Sequence, residues 1–261
     1  MKTDQGAGPS APVPGEAGAC REDFWGKAVD RGDDPEFAAL FSRFAAETAA
    51  FGGLDSRTHF TAVLAALLGC GGREVFSALL PAALDGGVTP EVVKEILYQG
   101  TAYCGFGRVA PFLADVNALL RARGTALPLP GAATTTAETR LDAGIQAQVD
   151  IFGEGMRDFT RSGPEETRHI NRWLAENCFG DYYTRRGLDY RERELITFCF
   201  LASLGGCEPQ LTSHAAANLR VGNSKEFLIA VLSHCLPYVG YPRTLNALRC
   251  LDNAAAAGKQ G

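Results

Sequence analysis

The sequence predicts an all-α fold made of two copies of one helical unit, and three observations lead there. Apolar residues recur at intervals of three and four, and no segment sustains the alternation of a strand. Landmarks recur in the same order in both halves: Leu54-Asp55-Ser56-Arg57 answers Leu188-Asp189-Tyr190-Arg191, and Tyr103-Cys104-Gly105-Phe106 answers Tyr238-Val239-Gly240-Tyr241. The offset between copies drifts only from 127 residues, at Phe24 and Ile151, to 135 at the last landmark. A duplicated unit of roughly 120 residues accounts for this.

In chain order, Met1 to Cys20 is rich in Ala, Gly and Pro and lacks the basic start and apolar stretch of a secretory signal. Residues 1–20 are therefore expected to be a disordered tail of a cytoplasmic protein. Residues 21–121 form the first unit, with helices expected over Ser56–Leu68, Arg73–Leu84, Pro90–Ala102 and Arg108–Arg121. Residues 122–140, with Pro128, Pro130 and Thr134-Thr135-Thr136, form the linker. Residues 141–257 form the second unit. Its first assigned helix runs from Arg191 to Leu204, with Leu195, Phe198, Cys199 and Ala202 on the apolar face, and stops at Gly205-Gly206. Pro209 opens a helix to Arg220, and Ser224 caps one over Lys225–Leu236 that Pro237 is expected to end. Tyr238-Val239-Gly240-Tyr241 then turns into a last helix from Pro242 through Cys250.

Of the 261 residues 46% are hydrophobic and 21% charged, enough apolar material for a buried core. The net charge of −5 gives no general attraction to a phosphate backbone, so no nucleic-acid partner is expected. Charged or turn residues interrupt every apolar run before the roughly 18 residues a bilayer span needs, so no membrane association is expected. Eight cysteines are scattered without a Cys-x-x-Cys pair, which removes the usual signature of a zinc site or a dithiol. Reduced thiols and no metal follow.

Candidate chemistry concentrates in Gly205-Gly206-Cys207-Glu208-Pro209-Gln210-Leu211-Thr212-Ser213-His214. At 100° per residue, Cys207, Gln210 and His214 share one helical stripe. Cys207 and Glu208 lie at the helix start, where free backbone N–H groups favour an anion, so a thiolate at Cys207 is expected to form more easily. The first copy carries Gly72, Arg73 and Leu79 at the positions of Cys207, Glu208 and His214, which separates this cluster from scaffold. Upstream, Arg191-Glu192-Arg193-Glu194 reads either as a solvated helix face or, for Glu194 beside Phe198 and Leu201, as an inward carboxyl next to His214. Arg243 and Asn246 follow the Tyr238 turn, as ligand contacts or as surface. His59, His169 and His234 have no cluster around them and read as structural.

The run Arg193-Glu194-Leu195, then Gly206-Cys207-Glu208-Pro209-Gln210-Leu211 with His214, Gly222, Tyr238-x-Gly240-x-Pro242 and Asn246-Ala247-Leu248-Arg249 resembles the carboxymuconolactone decarboxylase family. The resemblance is strongest over Leu188 to Arg249 and also spans Leu54 to Leu120. It implies an all-helical pseudo-dimer and six-unit rings, so a homotrimer of two-unit chains is expected. It also implies a related alkyl hydroperoxidase D-like branch that uses Cys-x-x-Cys, a following His and an upstream Glu. Cys207 and His214 match that pattern and Glu194 approximates its Glu, whereas Gln210 replaces the second Cys, so the resolving thiol of that motif is missing from its place.

The function expected on these grounds is a cofactor-free decarboxylase or related lactone-processing enzyme acting on a small carboxylated unsaturated lactone. His214 would move the proton, Glu194 would orient it, Cys207 would form the polar floor, and Glu208 is a second candidate acid. Gln210, Tyr238, Arg243 and Asn246 are the candidate substrate contacts. The alternatives are a single-Cys thiol peroxidase through Cys207 and a non-catalytic helical assembly that binds a small acid.

Overall fold

The structure, a computed structural model, describes residues 33–258. The tail expected at 1–20, Cys20 and the Phe24 landmark lie outside the described residues. Within them the chain is helical and contains no strand. The first copy comprises α1 (Pro35–Ala49), α2 (Ser56–Cys70), α3 (Arg73–Asp85), α4 (Pro90–Cys104) and α5 (Phe106–Ala122). The second opens with α6 (Arg140–Phe152), α7 (Arg168–Trp173) and a ten-residue π-helix, Leu174–Tyr183, and continues with α8 (Tyr190–Leu204), α9 (Glu208–Arg220), α10 (Lys225–Val239) and α11 (Tyr241–Ala257). No described helix is long and apolar enough to cross a membrane.

The two central helices start alike. Asp55 accepts from the Thr58 N–H at the head of α2, and Asp189 accepts from the Glu192 N–H at the head of α8, where the Glu192 side chain returns the bond to the Asp189 N–H. These helices lie side by side and parallel. At their heads Arg57 bonds Glu192 at 2.5 Å, and near their ends Gly69 of α2 is pressed against Phe200 and Ser203 of α8. A Cβ at Gly69 would stand 2.1 Å from the Ser203 Oγ, so only glycine allows this approach. Both helices are enclosed almost all round, α2 from Phe60 to Gly69 and α8 from Arg193 to Ser203.

An approximate two-fold axis runs between α2 and α8, and contacts across it come in matched pairs. His59 of α2 meets His234 of α10, and at the corresponding positions Arg193 of α8 meets Gln99 of α4. Each copy therefore lays its apolar helix, α4 or α10, on the central helix of the other copy. The apolar runs Glu91–Leu97 and Phe227–Leu232 thus pack on the central helices and not on each other. The helix into which Pro237 falls also continues past it to Val239. Proline there forfeits one backbone bond in the last turn, while burial of Leu228 to Cys235 holds the helix.

His59 and His234 are not isolated, contrary to the sequence reading. Their Nδ1 atoms lie 2.8 Å apart, and His234 Nε2 stands 2.8 Å from the Phe51 carbonyl. A carbonyl only accepts, so His234 carries its proton on Nε2 and its Nδ1 accepts from His59. Burial, then the His234 charge, lowers the His59 pKa from 6.5 to about 4, and burial lowers that of His234. The folded protein thus binds fewer protons than the unfolded chain between about pH 4 and 6.5. Stability is full above that window and falls as pH drops through it, by about 3 kcal/mol for His59. Urea titrations across this range should show the loss, and His59→Leu should flatten it; an unchanged slope would contradict the assignment.

Candidate active site

The site grows from three neighbouring segments of the second copy. α8 places Glu194 and Thr197 one turn apart, both fully enclosed. α9 places His214 opposite them, and the π-helix ends on Tyr183. That helix packs so closely on α6 that a Cβ at Gly144 would stand 1.9 Å from the Ala175 carbonyl oxygen. This approach carries Phe152, at the end of α6, to the His214 ring, with centroids 5.3 Å apart and planes at 80°.

At the centre, His214 Nδ1 lies 2.8 Å from Glu194 Oε2. The other carboxylate oxygen accepts from the Tyr183 hydroxyl at 2.8 Å. The direction of every proton around Tyr183 follows from its ends. The Arg193 guanidinium only donates, so Gln99 Oε1 accepts from it at 2.9 Å and Gln99 Nε2 donates to Thr197 at 2.7 Å. Thr197 then donates to the Tyr183 oxygen at 2.7 Å, Tyr183 donates to Glu194, and Tyr103 donates to Tyr183 at 2.9 Å. Burial raises both phenols well above their usual range, assisted by Glu194, Cys178 and, for Tyr103, Tyr183. They remain protonated donors. Cys178, whose thiol lies 3.6 Å from the Tyr103 oxygen, is pushed up to about 12, chiefly by burial. Asn218 braces the pair from below by donating to the carbonyls of Glu194 and His214.

Glu194 is 0% exposed, whereas the His214 side chain keeps 11% of its surface open. With Nδ1 committed to Glu194, Nε2 bonds no described residue and is the atom left for a ligand. Phe152 and Tyr103 both pack on the His214 ring in T-shaped contacts, Tyr103 at a centroid distance of 5.6 Å. A carboxylate-oriented imidazole between aromatic walls can take or give one proton at Nε2. Tyr103 comes from α4, so the site draws on both copies. Across the two-fold the same positions hold Phe60 and Leu79 in place of Glu194 and His214, and Tyr238 of α10 packs on Phe41 with centroids 6.0 Å apart. That position has lost the chemistry.

Of the residues singled out from sequence, the structure brings together Glu194 and His214. Tyr238 belongs to the apolar counterpart just described. Gln210 is exposed. Arg243 lies against Gly205 at the ends of α2 and α8, and Asn246 accepts from Arg249 at 2.5 Å. Cys207 Sγ lies 3.4 Å from the Leu201 carbonyl and bonds neither Glu194 nor His214. Burial, then Glu208 and Cys250, raises the Cys207 pKa, the opposite direction to the easily formed thiolate expected there. Glu208 is half-buried beside that thiol. The sequence reading missed Tyr183, Thr197, Tyr103, Gln99 and Phe152. Among these Tyr103 and Phe152 carried a signal, each inside a landmark repeated between the copies.

Two comparisons bear on this arrangement. The sequence model of the Carboxymuconolactone decarboxylase family matches residues 35–115 and 169–253. The 4-carboxymuconolactone decarboxylase of Acinetobacter baylyi (strain ATCC 33305 / BD413 / ADP1) is 25% identical over 123 residues, covering 44% of this chain and 86% of that protein. One match falls on the copy that holds Glu194 and His214 and the other on the copy that lends Tyr103, so this chain belongs to the carboxymuconolactone decarboxylase family in a tandem two-copy form.

Proposed function

We propose that the chain is a decarboxylase acting on a small carboxylated unsaturated lactone, with the chemistry at the single Glu194–His214 site. The observation that carries this reading is the enclosed carboxylate holding Nδ1 while Nε2 stands free between Phe152 and Tyr103. The reaction breaks the bond from carbon to the departing carboxylate, and its electron pair moves into the conjugated lactone as an extended enolate. The lactone itself is the electron sink, so the step needs no cofactor. His214 delivers a proton from Nε2 to carbon, Glu194 stabilises the imidazolium before transfer, and solvent restores the proton afterwards.

The family match and the relative named as a decarboxylase support the reaction class. A matched pair of compounds tests it: CO₂ should be released from 4-carboxymuconolactone and not from the ring-saturated acid, which has no conjugated path for the electron pair. Equal release from both, or from neither, would contradict the proposal.

The chain is further proposed to assemble as a trimer, completing a ring of six units. Phe106 and Tyr241, at matching positions of the two copies, are 65% and 59% exposed, and Leu245 beside the latter 60%. Aromatic and aliphatic groups so placed suit a contact between chains. Light scattering should return three chains per particle, and a fully active monomer would refute the ring.

A further inference from the structure

A half-open cavity of about 700 Å³, which His214 does not line, is bordered by α4, α5, the linker at Leu127–Ala132 and the loop at 185–187. This size suits a small organic molecule. One wall is apolar, formed by Leu127, Pro128, Leu129 and Pro130 with the Tyr98 ring. The linker is fixed over the cavity from outside: Arg186 donates to the Gly131 carbonyl at 2.9 Å and through its backbone N–H to Ala132 at 3.0 Å.

The facing wall carries charge that is not balanced. Lys94 is 7% exposed, and its ammonium bonds only the neutral amide oxygen of Asn117. No carboxylate among the described residues lies within ion-pair distance of it. Burial, and then the like charge of Arg121, lowers its pKa. Arg121, also on the lining, bonds no described side chain. Two carboxylates reach the cavity. Glu95 is already held by Arg185 at 2.8 Å and by Arg193 at 3.2 Å, and Glu91 is exposed and pairs with neither cation. A buried ammonium with one neutral partner and a second cation beside it is costly as it stands, and an anion would relieve it.

We propose that this cavity is a binding site for an organic carboxylate with an apolar body, its head group between Lys94 and Arg121 and its body against Tyr98 and the linker. The site is separate from the Glu194–His214 pair and does not depend on the reading of that pair.

Benzoate is the probe, with neutral benzamide as the isosteric control, titrated calorimetrically into the full chain. Benzoate should bind saturably, benzamide at least tenfold more weakly, and Arg121→Gln should weaken benzoate at least tenfold. Arg121 is exposed, so that variant folds even where Lys94→Met does not. His214→Asn should leave benzoate binding unchanged, which separates this site from the proposed active site. Absence of saturable binding, equal binding of benzamide, indifference to Arg121→Gln, or loss in His214→Asn would each overturn the proposal.

Discussion

His214→Asn should lower the rate of CO₂ release from 4-carboxymuconolactone by about 10² to 10⁴, the range general acid–base catalysis contributes, with the unfolding midpoint nearly unchanged. Asparagine keeps a polar group near Glu194 Oε2 but has no proton to deliver at the position of Nε2. Glu194→Gln should give a smaller loss, because an amide still fixes one face of the ring but cannot stabilise an imidazolium. Leu79→Met, at the matching position of the first copy, should leave turnover unchanged, since Phe60 stands there in place of the carboxylate. Steady-state kinetics with thermal melts of all three decides the point. Equal losses at His214 and Leu79 would mean that the chemistry is not confined to one copy.

The largest effect on stability is expected at Glu95. Its carboxylate, 3% exposed, holds the guanidinium of Arg193, which is 0% exposed. Arg193 Nη2 also donates to the Arg185 carbonyl at 2.7 Å and Nη1 to Gln99, while Nε has no partner. Glu95→Ala leaves this cation enclosed without an anion, a change that costs about 3–5 kcal/mol and should lower the melting midpoint by roughly 10 °C. Arg185→Met removes the more exposed partner and leaves the Glu95–Arg193 pair intact, so it should cost much less. Melting curves giving the same shift for both variants would contradict this account of the pair.

Much of the fold was legible because its determinants are local. Apolar spacing, the Ser224 cap and prolines in first turns fixed most helices to within two or three residues, and the repeated landmarks revealed the duplication. Residues 141–187 were not assigned to elements, and there the π-helix bonds residues five apart, a period the search for three-and-four spacing does not detect. Tyr183 at its end was lost with it. The site was only half legible for a related reason. Cys207 and His214 are conspicuous by their spacing, but what surrounds each is tertiary. Glu194 points inward because α8 is enclosed all round, and Tyr103 arrives because each copy lays a helix on the other. His59 and His234 meet across 175 residues of chain. No local pattern contains these facts.

On the proposed mechanism the chemistry rests on the Glu194–His214 pair and not on the Cys207 thiol. Release of labelled CO₂ from carboxyl-labelled 4-carboxymuconolactone, with no thiol or reductant added, compares His214→Asn and Cys207→Ser side by side. The first should lose at least about a hundredfold in rate while the second keeps most of it. Loss in Cys207→Ser with activity retained in His214→Asn would contradict it.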